Sequence, residues 1–203
     1  GVQWLRAQVR TLQADARSVV LDDGRSLHFD ALSINVPGVQ DRDALDASLP
    51  GVYTPDDVFA GATLPSPVLI YDDDHYYMGG VLAELLAKEG YTVSVVTPAA
   101  EVSTWMRMTM EQLFVQHRLV NLGVKIISHH HLVRADAAGV TYACGFTGTE
   151  TTITGCSLVA VTARLPHNAV GRELLARRGE WSAAGIKSVT IIGDALAPGT
   201  IAA

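Results

Sequence analysis

The first stretch of the chain alternates apolar and polar positions in short bursts. Residues 4–10 (WLRAQVR) and 18–21 (SVVL) read as short strands, Asp22-Asp23-Gly24 as a hairpin turn of the Asp-Gly type, and Ser26–Phe29 as the return strand. Asp30–Val36 is an apolar strand stopped by Pro37-Gly38. Three short antiparallel strands followed by a buried one predict a β-meander that feeds a larger sheet. Residues 39–66 are rich in Asp, Pro, Gly and Ala and read as a linker carrying one short helix. Thr54 is its N-cap and Pro55 its first helical residue.

Beyond residue 66 the period changes. Val68–Tyr71 is a continuous apolar strand, 79–89 a helix stopped by Gly90, and Thr92–Thr97 the next strand, a β-α-β unit about 30 residues long. A second helix over roughly Met108–Asn121 ends at Gly123 and leads into the strand 124–128. Residues 131–136, 139–144 and 150–154 alternate as a second meander, and Leu158–Thr162 is another buried strand. Residues 170–178 are helical, and Ser188–Ile192 is a last apolar strand before Gly193-Asp194. Strands alternating with helices predict an α/β fold whose parallel sheet is covered on both faces. The architecture expected is a three-layer Rossmann-like domain over 67–163, flanked by pieces of a second dinucleotide-binding domain at 1–38 and 164–203.

Composition narrows the class. Of 203 residues, 48% are hydrophobic and 18% charged, which suits a packed core. A net charge of −6 lacks the basic footprint of nucleic-acid binding. No apolar run approaches the roughly 20 residues of a membrane helix, and no secretory leader is evident. Cys144 and Cys156 are too far apart for a CxxC pair or a zinc knuckle and read as ordinary thiols in a reducing cytoplasm. The chain starts at Gly1 and ends at Ile201-Ala202-Ala203, just after a loop signal, so it is expected to be an excised piece.

The loop after the strand at 68–71 carries the first candidate site. A working dinucleotide fold has G-x-G-x-x-G there, so that backbone N–H groups reach a pyrophosphate at a helix N-terminus. Counting back from Gly90, the third glycine is Gly79; the first two have no counterpart. The loop reads Asp72-Asp73-Asp74-His75-Tyr76-Tyr77-Met78, about two residues longer than usual. Its carboxylates repel a pyrophosphate and can satisfy the helix N–H groups themselves. The acidic residue that reads the NAD ribose at the end of the next strand is replaced by Thr97-Pro98. The favoured reading is a Rossmann-shaped domain that has lost its nucleotide; NAD(P)H binding is the minority one.

Other clusters are weaker. Asp72–His75 and His129-His130-His131 offer metal-ligand atoms, but consecutive residues rarely point at one centre, so no metal is assigned and solvated histidines, with adventitious nickel or zinc, are the simpler account. Trp105, Met106, Met108 and Met110 read as packing against a neighbouring domain. Arg164, after the strand at 158–162, is either a phosphate contact or an exposed strand-end arginine. No G-x-S-x-G elbow supports hydrolysis, and no catalytic residue is identified.

The motif order resembles the two-dinucleotide-binding-domain flavoproteins. Phe29–Pro37 (FDALSINVP) stands where that family has D-x-L-x-x-A-T-G, with Asn35-Val36-Pro37 departing from Ala-Thr-Gly. An NAD-type domain follows, and Ile191–Ala195 looks like the returning Gly-Asp motif. The resemblance is closest to the trimethylamine dehydrogenase and histamine dehydrogenase branch of the NADH:flavin oxidoreductases. It is carried by Leu49-Pro50, Thr54–Val58, Tyr71–Leu82 (YDDDHYYMGGVL), Val161–Arg164, Glu180-Trp181 and Gly193-Asp194-Ala195. The resemblance implies a flavin-dependent oxidoreductase parent with an N-terminal (β/α)₈ barrel holding FMN and a [4Fe-4S] cluster, neither of which is in this stretch. It implies FAD or ADP on the flavin-type side, with Gly193, Asp194 and Ala195 as candidates there; Gly79 of the NAD-type loop and Arg164 after the strand at 158–162 complete the cofactor-binding candidates. Asp194 would accept from a sugar or ribityl hydroxyl, or cap a helix. The implied role is to hold the adenine nucleotide and brace the barrel of the same polypeptide; homo-oligomerisation stays open. The rival readings are a structural or docking module with an empty site, and part of an NAD(P)H-dependent flavin reductase.

Overall fold

The computed structural model describes residues 5–13, 17–29, 31–33, 39–40 and 51–199. The chain divides into two compact units, Gly1–Val39 with Leu165–Ala203, and Gln40–Arg164. In the first, β1 (Val9–Gln13), β2 (Ser18–Leu21) and β3 (Ser26–His28) form an antiparallel meander in that order. The Asp-Gly turn closes it, with Gly24 at φ +83° and Leu21 N–H donating to Arg25 O at 2.9 Å. Asp30 and residues 34–38 of the expected apolar strand lie outside the described residues, as do Leu49 and Pro50.

The second unit holds most of the core. After β4 (Val39–Gln40), β5 (Val52–Tyr53) and α1 (Pro55–Phe59) lie in the segment read as linker. That segment belongs to the Gln40–Arg164 unit, because β5 pairs parallel with a strand 106 residues on, Leu158 opposite Val52. α1 starts as the sequence predicts. Thr54 Oγ1 accepts from Asp57 N–H, Asp57 Oδ2 accepts from Thr54 N–H at 2.8 Å, and Pro55 opens the helix. Then come β6 (Val68–Asp72), α2 (Met78–Lys88), β7 (Val93–Val96), α3 (Gln112–Asn121) and β8 (Lys125–Ile127). α3 begins four residues later than its apolar pattern suggests. Met110 sits at φ +59°, a left-handed conformation that a helix cannot pass through, so residues 104–110 are a 3₁₀ turn and loop.

A second meander, β9 (His130–Asp136), β10 (Gly139–Cys144) and β11 (Glu150–Ile153), precedes β12 (Ser157–Val161). The central sheet has the order β5-β12-β6-β7-β8, with all four pairings parallel. Side-chain parity sorts its two faces. Val68 and Ile70 of β6, with Val159 and Val161 of β12, join Leu82, Leu86, Val115 and Leu119 of the helices. Leu69, Tyr71, Val96 and Leu158 join Val140 and Tyr142 of the meander. Helices cover one face and the meander the other, the three layers expected. Ile70, Leu82 and Leu158 are wholly buried, each contributing about 1.5–3 kcal/mol by burial.

β13 (Arg164–Leu165) forms a two-stranded sheet with β4, and α4 (Ala169–Ala176) follows. The strand expected at 188–192 is not formed: the segment has no regular structure, and no described strand pairs with it. A strand exists only through hydrogen bonds to a neighbour, so a single apolar run does not make one.

Candidate functional site

An open α/β sheet binds ligands beyond the carboxyl ends of its strands, where the strand order reverses. Here the order reverses between β6 and β12. The loop Asp73–Tyr77 leaves the end of β6 at this point, and Arg164 stands three residues past β12. Asp73 N–H donates to Val161 O at 2.9 Å, extending the β6–β12 ladder by one residue. The structure therefore brings the acidic loop, Gly79 and Arg164 to one end of the sheet.

The loop is built around its own carboxylates. Asp72 ends β6 on the same parity as Val68 and Ile70, so it faces the helices. It is wholly buried, and Oδ1 accepts from His75 N–H at 3.3 Å. Burial raises its pKa to about 6, against the pull of the His75 N–H and charge and the Ser103 N–H. Asp74 is also raised by burial, opposed by the Tyr76 N–H and by the charges of His75 and Arg164. Asp73 Oδ1 lies 3.4 Å from His75 Nε2. His75 is held at φ +62°, and its carbonyl accepts from Trp105 N–H at 2.9 Å.

Gly79 has a packing role. A Cβ there would lie 2.6 Å from Asp72 Oδ2 and 2.8 Å from Asp72 Cβ, so only glycine lets α2 approach the end of β6 this closely. This is the third glycine's task in a dinucleotide fold, close helix–strand contact, here spent on a carboxylate. Gly80, not singled out from the sequence, does the same against Ser103 Oγ and Val115 Cγ1, both at 2.8 Å. Arg164 pairs with Asp56 in the first turn of α1. Its charge is thus shared between α1 and the acidic loop, which weakens the phosphate reading of this residue.

Asp72 Oδ2, His75 Nδ1, Ser103 Oγ and Gln112 Oε1 are buried side-chain atoms without hydrogen-bond partners among the described residues. Ser103 was missed from the sequence. It sits at φ +56° in the loop after β7, and nothing local marks a serine whose backbone serves a distant strand.

Thr97, where an NAD reader would stand, is buried, and its Oγ1 accepts from Ala99 N–H at 3.2 Å. His129 precedes β9, while His130 and His131 are its first residues, paired with Cys144 and Ala143 of β10; with Pro98, Gly145 and Phe146 the three line a shallow pocket of about 210 Å³. His129 packs on the Phe146 ring at 4.9 Å, and His130 Nδ1 contacts Ser128 O at 2.7 Å. Among the described residues no three His, Cys, Asp or Glu converge as a metal site. Of the sulfur and indole cluster, Met106 packs on the helix-side core, while Trp105, Met108 and Met110 are exposed.

Gly193, Asp194 and Ala195 lie in the other unit and form one 3₁₀ turn. Gly193 is at φ +59°, and a Cβ there would meet open space. Asp194 is partly exposed within the turn. Ile192 is its N-cap, and Asp194 is the second residue of the turn.

Residues 53–165 match the family model described as OYE-like second alpha/beta domain. A dimethylamine dehydrogenase from Hyphomicrobium sp. (strain x) is 31% identical over 210 residues, covering 94% of this chain and 28% of its own length. The solved histamine dehydrogenase from Rhizobium sp. 4-9 is 44% identical with a TM-score of 0.71, covering 74% of this chain and 24% of that one. The 6-hydroxypseudooxynicotine amine oxidase from Pseudomonas geniculata N1 is 30% identical with a TM-score of 0.70, covering 82% and 25%. The chain belongs to the OYE-like second alpha/beta domain family and is homologous to dimethylamine and histamine dehydrogenases, as the motif resemblance implied. It spans about a quarter of the length of these relatives.

Proposed function

We propose that this chain is the dinucleotide-fold region of a flavin-dependent amine dehydrogenase-like oxidoreductase. In this reading the unit formed by Gly1–Val39 and Leu165–Ala203 helps hold an adenine nucleotide, FAD or ADP. The unit Gln40–Arg164 keeps the Rossmann shape as a support and takes no NAD(P)H. The observation that carries the reading is the loop after β6, whose carboxylates occupy its own N–H groups in a chain homologous to amine dehydrogenases.

Gly193 and Asp194, of the residues offered for the adenine nucleotide, fit one. Gly193, with a left-handed φ and open space around it, allows close backbone approach, and Asp194 beside it is accessible to a ribose hydroxyl. The chain has two cysteines, short of the four thiolates a [4Fe-4S] cluster takes, so such a cluster would be held by another part of the parent. The same polypeptide is the partner proposed for the apolar surface formed by Trp105, Met108, Met110, Leu113 and Phe114. All five are exposed, and about three-quarters of the relatives' length lies outside this stretch. A cytoplasmic setting is supported by the two free thiols.

The reading is tested in the full-length polypeptide by replacing Asp194 with Ala and measuring nucleotide retained through purification. Loss of a hydrogen bond to a charged acceptor costs roughly 1.5–3 kcal/mol, so affinity should fall about ten- to a hundred-fold. Unchanged occupancy at limiting nucleotide, with the fold intact, would leave Asp194 no part in binding. A parent that carries no nucleotide at all would favour the purely structural module.

A further inference from the structure

We propose that Asp72 is an internal substitute for the dinucleotide phosphate, and that this one side chain is the specificity device that keeps NAD(P)H out of the Gln40–Arg164 unit. The inference rests on the reading of that unit as a dinucleotide fold and names the residue that closes it.

Three observations carry it. The first is place. Asp72 is the last residue of β6, at the switch point of the sheet, and parity turns it toward the amino end of α2. A helix amino end is a site for negative charge, and α2, of 11 residues, is long enough to present one. The second is depth. Asp72 is wholly buried, with Oδ2 unpartnered among the described residues and lying against Gly79 in the first turn of α2. The charge is therefore inside the cradle rather than on its rim. The third is donor use. The loop N–H of His75 goes to Asp72, the Ser103 N–H faces the same carboxylate, and the Tyr76 N–H serves Asp74. Donors that a pyrophosphate would require are already taken by the chain.

Excluding a dinucleotide by surface repulsion alone would give a different molecule. Exposed carboxylates are screened by salt and weaken binding only modestly. A buried carboxylate both fills the space and cancels the field, and removing it empties both. Asp73, half-exposed and paired with His75, serves as the comparison.

The experiment measures NADH binding to the full chain by calorimetry and by nicotinamide fluorescence. The parent sequence should show no binding below about millimolar. Asp72→Gly should improve affinity at least about tenfold, equivalent to one charge-assisted hydrogen bond regained. The single change Asp73→Gly should improve it less than threefold, in the range of screened surface charge. Should glycine in β6 unfold the chain, as judged by circular dichroism, Asp72→Ser keeps a polar side chain on the strand and is held to the same criterion. A folded Asp72 variant with no gain overturns the proposal, and so does an equal or larger gain from Asp73→Gly. The readout is separate from nucleotide retention at Asp194, so either reading can fail without the other.

Discussion

Replacing Gly79 with alanine should destabilise the Gln40–Arg164 unit by about 3 kcal/mol, the upper range for overpacking a close-packed site. The new methyl would lie 2.6 Å from Asp72 Oδ2 and 2.8 Å from Asp72 Cβ, and a wholly buried Asp72 has nowhere to withdraw. The nearest atoms to that methyl all belong to the Asp72 side chain, so most of the penalty should depend on its presence. In an Asp72→Gly background the same alanine should cost under about 1 kcal/mol, a coupling of about 2 kcal/mol for residues in direct contact. Urea unfolding of the four proteins of the cycle provides the check. Additive effects would mean that Gly79 is required by something other than Asp72.

The charge state of Asp72 gives the second large effect. Burial raises its folded-state pKa to about 6 from 3.8, with Asp74 adding to the rise, while the His75 and Ser103 N–H groups and the His75 charge oppose it. Between those values the folded chain binds the proton more tightly than the unfolded one. Stability from this group is therefore fully present below about pH 4 and is lost as the pH rises through 6. The loss is about 3 kcal/mol at 1.36 kcal/mol per unit. Asp72→Asn cannot ionise. Its stability relative to the parent chain should therefore rise by about 2–3 kcal/mol between pH 4 and pH 7 and stay level above. Chemical denaturation at pH 4, 5, 6 and 7 reads this directly. A difference independent of pH would show that Asp72 is not buried as a carboxylate.

Much of this arrangement is legible in the sequence, and the exceptions have physical causes. Thr54 and Pro55 announce α1 because an N-cap and a proline at the first helical position are local chemistry; the capping box that Asp57 completes came from the structure. The missing glycines before Gly79 announce the altered loop for the same reason. The direction of Asp72 is harder to read. Val68–Tyr71 is apolar at every position, since both faces of the sheet are covered, so periodicity does not say which face its last residue joins. The edge strand Val52–Tyr53 is two residues long and exists only through β12, so propensity does not reveal it. Ser188–Ile192 shows the converse: the apolar run is there, but β structure is a property of pairs. Met110 ends the expected reach of α3 by a left-handed backbone that a good helix former does not advertise.

The contact between Gly79 and Asp72 would also explain how a dinucleotide fold that takes no NAD(P)H, as proposed, stays packed. Losing a ligand from a helix amino end would leave donors and a cavity, both destabilising. A carboxylate from the adjacent strand fills that volume and accepts from the His75 N–H of the loop, and glycine in the first turn of α2 makes room for it. The remaining unpartnered atoms, Asp72 Oδ2 and Ser103 Oγ among them, mark where this replacement is imperfect.

The most direct test is anaerobic flavin reduction in the full-length polypeptide, followed by absorbance after mixing with dimethylamine or histamine in one series and NADH or NADPH in the other. The account predicts that an amine bleaches the flavin and that neither nicotinamide nucleotide does so at millimolar concentration. Saturable bleaching by NADH or NADPH in the micromolar range, with no response to amines, would contradict it.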